Sequence, residues 1–374
     1  MMSDREDFLR NLLNVPGWRT RRKIVVIESD DWGSIRMPSS GTLHRLEEQG
    51  LRLRSKYNQN DSLATSDDLD RLFGVLRSVT DGQGHPPIIT ANCLVANPDF
   101  EKIEADGFEK YHYELFTDTL KKAPGCEFSF DLWKEGIAGG IFRPQFHGRE
   151  HVNVNLWLKA LRSGHKETKA AFGEGFWSQT TTYHEARRHH FLASCDFITM
   201  EEIPGIRASL EEGLGLFEQL FGYRSLSFVP SNYILHPSID QTLSDNGIRF
   251  IQGTRRRLIP REDSTRFRKE WRVIGRQNGQ GLTDLVRNVS FEPYEEPGRN
   301  WVDACMREIS QAFGFRKPAT ICAHRVNFMG TLRPENREQN LAMFGTLLHR
   351  ITQRWPDVEF MSSDRLGELI TKRE

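Results

Sequence analysis

The chain has 374 residues, and its 51 Lys plus Arg are balanced by 51 Asp plus Glu, for a formal charge of zero. That balance removes the general electrostatic case for a nucleic-acid partner or an acidic membrane surface. Five cysteines (Cys93, Cys126, Cys195, Cys305 and Cys322) form no CxxC pair and are odd in number, which fits reduced thiols rather than a disulfide framework.

Residues 1–13 carry Asp4, Arg5, Glu6, Asp7 and Arg10 and lack the apolar core of a secretory signal. Phe8, Leu9, Leu12 and Leu13 share one helical face, so residues 1–22 read as an N-terminal helical extension. No apolar run approaches the roughly 20 residues that span a bilayer. A cytoplasmic protein without a membrane span is the expectation.

The first strong element is Lys23 to Ile27, a buried strand followed at once by Glu28, Ser29, Asp30 and Asp31. Adjacent carboxylates at the end of an apolar strand are costly unless a metal or a proton-transfer role compensates them. The carboxyl ends of strands are also where α/β folds place their sites. Asp and Ser favour helix N-caps too, so the pair alone is ambiguous.

Further along, residues 41–49 predict a helix ending at Gly50, and Thr65-Ser-Asp-Asp68 predicts a capped helix to about Val79. Pro87 to Val95 predicts a second strand, residues 108–120 a helix, and Ile141 to Phe146 a strand leading to His147. A helix is expected from Val152 to Leu161. Ser225 to Val229 is strand-like and runs into Pro230, and Ser238-Ile-Asp-Gln241 predicts a capped helix to Asp245. Strands follow at Arg249–Gly253, Leu285–Phe291, Ala319–Ala323 and Val358–Met361, with helices over residues 335–350 and from Ser363 to about Thr371. Strands alternating with helices predict a parallel sheet. Their number, about seven or eight, favours a distorted (β/α)7-8 TIM-like barrel in a single domain over residues 1–374, with a helical insertion at about 152–224.

His147-Gly-Arg-Glu-His151 places two imidazoles four residues apart, which one helical face can present to one metal. Asp31 plus these two histidines makes a three-ligand set with open positions, the pattern of catalytic metal sites. Asp30 is then free to serve as a base. Two further strand ends add Pro230-Ser-Asn-Tyr233 and His324.

These motifs, in this order, resemble the polysaccharide deacetylases (the NodB-homology or carbohydrate esterase 4 group). The resemblance runs from about Lys23 to Leu369 on short motifs. It implies that Asp30 is the catalytic base and that Asp31, His147 and His151 hold a divalent metal. Zn²⁺ is the first expectation, with Co²⁺, Mn²⁺ or Ni²⁺ as further fits. It implies an oxyanion-binding backbone N–H at Val229-Pro-Ser-Asn232, with Asn232 the candidate; Tyr233, next in the chain, is a further candidate substrate contact. His324, in Ile321-Cys-Ala-His324, is implied as the general acid. The implied substrate is an acetylated sugar or polysaccharide. Departures from the family pattern are Trp32 after the two aspartates, Val229 in place of the Arg that orients the base, and Arg325 rather than an acid after His324. The segment that tunes the acid histidine has no clear match near Gln252-Gly-Thr-Arg255. Arg143, ahead of His147 on the same strand, is the candidate replacement for the missing Arg.

Two other readings draw on the same residues. His147-Gly-Arg-Glu150-His151 fits the H-x-x-E-H metalloprotease pattern with Glu150 as base. A carbohydrate-binding relative without turnover is the other, motivated by the missing Arg. The second His-rich stretch, His184 to His190 beside Arg187 and Arg188, reads as a solvated helix face, and the basic run Thr254 to Arg272 as a charged surface loop. Trp32 and Trp177 could stack on a sugar ring, although Trp is more often core.

Overall fold

The computed structural model describes residues 14–262 and 264–372. Of the helical extension expected over residues 1–22, the first 13 lie outside them, and residues 14–22 are turns and bends without helix. Nine strands form the main sheet: β1 (Lys23–Trp32), β2 (Ile89–Leu94), β3 (Phe142–Gly148), β4 (Ser227–Phe228), β5 (Phe250–Gly253), β6 (Thr283–Val286), β7 (Val289–Ser290), β8 (Ala319–His324) and β9 (Val358–Phe360). Their order is β6-β5-β4-β3-β2-β1-β8-β7, with β9 paired to the start of β1, and every pairing is parallel. The sheet curls until its ends meet. Strands β6 and β7 occupy opposite ends of the order, yet only Arg287 and Asn288 separate them, a link that reaches about 10 Å at most. At that link the backbone changes partner: Arg287 N–H donates to Gly253 O at 2.9 Å on β5, and Asn288 N–H to Thr320 O at 3.2 Å on β8.

The period of two along β1 divides its side chains between two environments. Val25 and Ile27 join the large core under the helices, with Leu69, Phe73, Phe344 and Leu348. Ile24 and Val26 pack in a separate cluster with Phe250, Leu285 and Leu366, the last from the C-terminal helix Ser363–Thr371. That helix lies close against β5, since a Cβ on Gly367 would meet the Phe250 ring at 2.5 Å.

Several local expectations change. Residues 108–120 contain a short strand, Tyr113–Leu115, before a helix at Phe116–Lys122, because Tyr113 to Leu115 pairs with Ala96 to Pro98. The stretch 183–190 has no helix; Gly175 to Thr199 is irregular between the helices Lys166–Gly173 and Ile203–Phe221. The basic run forms an antiparallel hairpin, Arg256–Ile259 with Arg268–Trp271. Two of its arginines are buried in ion pairs, Arg257 with Asp240 and Arg272 with Asp284.

Candidate active site and metal centre

The carboxyl ends of β1, β3 and β8 converge on a cavity of about 490 Å³ lined by Asp30, Asp31, His147, His151, Asn232, Tyr233 and His324, among others. In a regular strand adjacent side chains face opposite ways. Here the β1–β2 register shifts between Ser29 and Trp32, and Asp31 takes a left-handed φ of 73°. This irregularity is what lets Asp30 and Asp31 face the same cavity. Such a conformation in a non-glycine residue carries strain, of the kind that clusters at functional sites.

Asp31 Oδ1 is buried without a hydrogen-bond partner, and His147 Nε2 and His151 Nε2 approach it at 3.4 and 3.2 Å. One such atom from each of the three residues lies within 4.8 Å of the others. Three ligand atoms around one ion, at bonds of about 2.0–2.2 Å, stand roughly 3 Å apart, so this donor set fits a divalent metal. His147 Nδ1 lies 2.6 Å from Val229 O, an N–H donation that fixes the tautomer and leaves Nε2 as a lone pair. The other Asp31 oxygen is occupied: the Tyr57 hydroxyl donates to Oδ2, and Arg36 Nη2 lies 3.3 Å away. Burial acts against its charge, yet the Arg36 cation and His151 hold Asp31 well below the usual carboxylate range. Burial, reinforced by Arg36, lowers His151 to about 4 and keeps its ring neutral, as a ligand must be.

The two histidines do not share a helix. His147 ends β3, Gly148 turns the chain at φ 140°, and His151 lies in the bend beyond. Convergence comes from the strand end and the turn. Glu150 points elsewhere: it accepts from Arg149 Nε at 2.5 Å and Ser209 Oγ at 2.8 Å, outside the cavity.

Asp30 is held by Arg287 rather than Arg143. Arg287 Nη1 donates to Asp30 Oδ2 at 2.6 Å and Nη2 to Oδ1 at 2.7 Å, with Asn92 Nδ2 on Oδ1 at 2.7 Å. Burial opposes the charge, but Arg287 outweighs it and drives the Asp30 carboxyl far down, so it stays ionised. Arg143 instead donates to Asp364 Oδ2 at 3.0 Å and stacks on Tyr223. Its place explains this: it sits across from Thr90, two residues below the Asn92 that touches Asp30. The arginine that pairs with Asp30 therefore comes from the β6–β7 link.

His324 ends β8 with Nε2 3.8 Å from Asp30 Oδ2. Its Nδ1 lies 2.7 Å from Glu292 Oε1, and its backbone N–H donates to Glu292 Oε2 at 3.2 Å. Burial alone would lower this imidazolium, but Glu292, aided by Asp30 and Asp31, raises it to about 10. The carboxylate paired with His324 is thus Glu292, and not a residue near Gln252.

Asn232 and Tyr233 both line the cavity in left-handed conformations, φ 55° and 59°, and Tyr233 Oη accepts from Arg287 Nη1 at 3.0 Å. Trp32 does not reach the cavity. It is fully buried, edge-on to Trp133 and Phe142, and donates to Ser29 Oγ at 2.9 Å. Trp177 is also core, with Arg36 over its ring. Arg325 is buried in a two-bond pair with Asp61 at 3.1 and 3.0 Å. His184 is exposed as expected, but Arg188, His189 and His190 line the cavity wall, so the second His-rich stretch is solvated only in part.

No family model matches the chain, and no curated protein matches it. Among solved structures it is similar to a protein of Parabacteroides distasonis provisionally assigned as a glycoside hydrolase/deacetylase. That likeness has a TM-score of 0.50 at 10% identity and covers 96% of this chain and 73% of the other. A provisionally assigned polysaccharide deacetylase of Mycobacterium smegmatis is also similar, at TM-score 0.47 and 9% identity, over 95% and 92% of the two chains. PuuE allantoinase is a third, at 0.46 and 11%, over 94% and 92%. At 10% identity the likeness to the Parabacteroides distasonis protein is one of fold.

Proposed function

We propose that this protein is a metal-dependent hydrolase that removes an acyl group, acetyl first, from the nitrogen of an acetylated sugar. The observation that carries the reading is the pair of oppositely tuned groups beside the candidate metal centre: Asp30 kept ionised by Arg287, and His324 kept protonated by Glu292, with 3.8 Å between them. Two titratable groups driven apart in this way are the mark of a base and an acid.

Asp31, His147 and His151 would hold the ion, with Zn²⁺ the best fit to their mixed N and O donors and Co²⁺, Mn²⁺ or Ni²⁺ also suited. When bound, such an ion polarises an acyl oxygen and lowers the pKa of water. Asp30 takes the proton from the attacking water while Arg287 and Asn92 keep its carboxylate aimed. A backbone N–H near Asn232 stabilises the charge that develops on the acyl oxygen. His324 Nε2–H is delivered to the departing amine, and Glu292 steadies the ring as it gives up that proton.

The location of Glu150 outside the cavity speaks against the metalloprotease reading. Arg287 on Asp30 removes the motive for a relative without turnover. The test is acetate release from a panel of acetylated amino sugars. Asp30→Asn is expected to lower turnover about a hundredfold or more with metal retained, while Glu150→Gln keeps most of it. The opposite ranking, with peptide cleavage, would overturn the proposal.

A further inference from the structure

Below the cavity the barrel interior holds a second buried carboxylate that the chemistry above does not use. Glu28 lies two residues before Asp30 on the same face of β1 and is 1% exposed. A charge buried to that degree is costly unless it is paired and hydrogen-bonded. Its two oxygens are taken from opposite directions. From above, Arg287 Nε donates to Oε2 at 2.5 Å. From below, Ser363 Oγ donates to Oε1 at 2.7 Å.

Arg287 therefore stands between two carboxylates, its Nε on Glu28 and both Nη groups on Asp30. Ser363 is itself fixed, being the first residue of the C-terminal helix. Its backbone N–H donates to Thr90 Oγ1 at 2.9 Å, and its Oγ accepts from Gln252 Nε2 at 3.2 Å. All of these side chains are buried. Arg287 comes from a two-residue link where the strand changes partners, so the sheet hydrogen bonds alone leave its side chain little support.

We infer that Glu28 is a positioning residue for Asp30, acting through Arg287, and that Ser363 ties this relay to the C-terminal helix that packs against the barrel interior. The inference rests on Asp30 being the base. The guanidinium is planar and rigid, so anchoring its Nε edge fixes the direction of the Nη pair. Without that anchor the cation still neutralises Asp30 and keeps its Nη1 contact to Tyr233 Oη, but its Nε edge is no longer held, so the guanidinium plane can tilt and the carboxylate with it. A base displaced by a fraction of an ångström loses rate without losing substrate binding.

The experiment uses Glu28→Gln, which keeps shape, and Ser363→Ala, which removes only the lower contact. In the full chain, kcat is expected to fall about tenfold for Glu28→Gln and about threefold for Ser363→Ala, with KM and metal content within about twofold of wild type. In an Asp30→Asn background neither change lowers the residual rate further, because the relay has nothing left to orient. Equal losses with and without Asp30, or losses confined to KM, would overturn the inference. A readout independent of activity is the Arg287 Nε–H resonance in ¹⁵N-labelled protein. It is expected to be sharp and protected from exchange in wild type and to shift in both variants. An unchanged resonance in Ser363→Ala and Glu28→Gln would also overturn it. A wild type that hydrolyses no acetylated sugar yet shows the coupled resonance would separate failure of the functional reading from failure of the relay.

Discussion

Asp30 and Asp31 are neighbours in the chain and equally buried, at 3% exposure each, yet they occupy two differently built halves of the cavity floor. On the Asp30 side both oxygens are taken by fixed donors, Arg287 and Asn92, and the nearest imidazole is held as a cation by Glu292. On the Asp31 side one oxygen is capped by Tyr57 and Arg36, while the other faces two imidazole nitrogens with no donor on it. A carboxylate saturated with hydrogen bonds has its charge and direction set by the protein. A carboxylate with an orphaned buried oxygen is incomplete, since such a group costs about 1–3 kcal/mol if nothing joins it. The difference supports the proposed division, proton transfer in one half and ion binding in the other.

The strongest way to break this division is to remove the imidazoles. His147→Ala and His151→Ala are each expected to abolish metal content and acetate release together, whereas Asp30→Asn loses turnover alone. Elemental analysis of the purified variants checks this, and full metal content in the double His variant would contradict it.

A smaller effect sharpens the Asp30 half. His324 is raised from an ordinary 6.5 to about 10, so the acid is in place at neutral pH and is lost as pH rises through about 10. The same shift contributes folding stability that is fully present below 6.5 and is lost as pH rises through about 10. With Glu292→Gln the main upward influence disappears while burial remains. The alkaline limb of the rate profile should then move down toward the ordinary His range of about 6.5. An alkaline limb unmoved in Glu292→Gln would show that His324 is not the acid, or that Glu292 does not tune it.

What could be read from the sequence follows the range of the interactions involved. The β1 strand with Asp30 and Asp31, the His147 and His151 pair, and His324 are legible because each is a local pattern, an apolar run ending in a polar group. The partners that tune them are not local. Arg287 is 257 residues from Asp30, and Glu292 is 32 from His324. Both lie on a two-part strand, Thr283 to Ser290 and the residues just after it, whose change of partner leaves no periodic signature. Arg143 precedes His147 on the same strand but lies too low to reach Asp30, level with Thr90 rather than Asn92. Trp32 follows the two aspartates in sequence, but the left-handed turn at Asp31 sends it back into the core. The wall formed by Arg188, His189 and His190 was hidden because charge and histidine content alone read as surface.

The central claim, that Asp31, His147 and His151 form the metal centre, is tested most directly by anomalous diffraction from crystals of the full chain grown with Zn²⁺. One dominant peak is expected between Asp31 Oδ1 and the two Nε2 atoms. Glu292, Cys322 and His324 form the second group of close donor atoms among the described residues, and His324 there is engaged with Glu292. A dominant peak at that second group, or none near Asp31, would contradict the account.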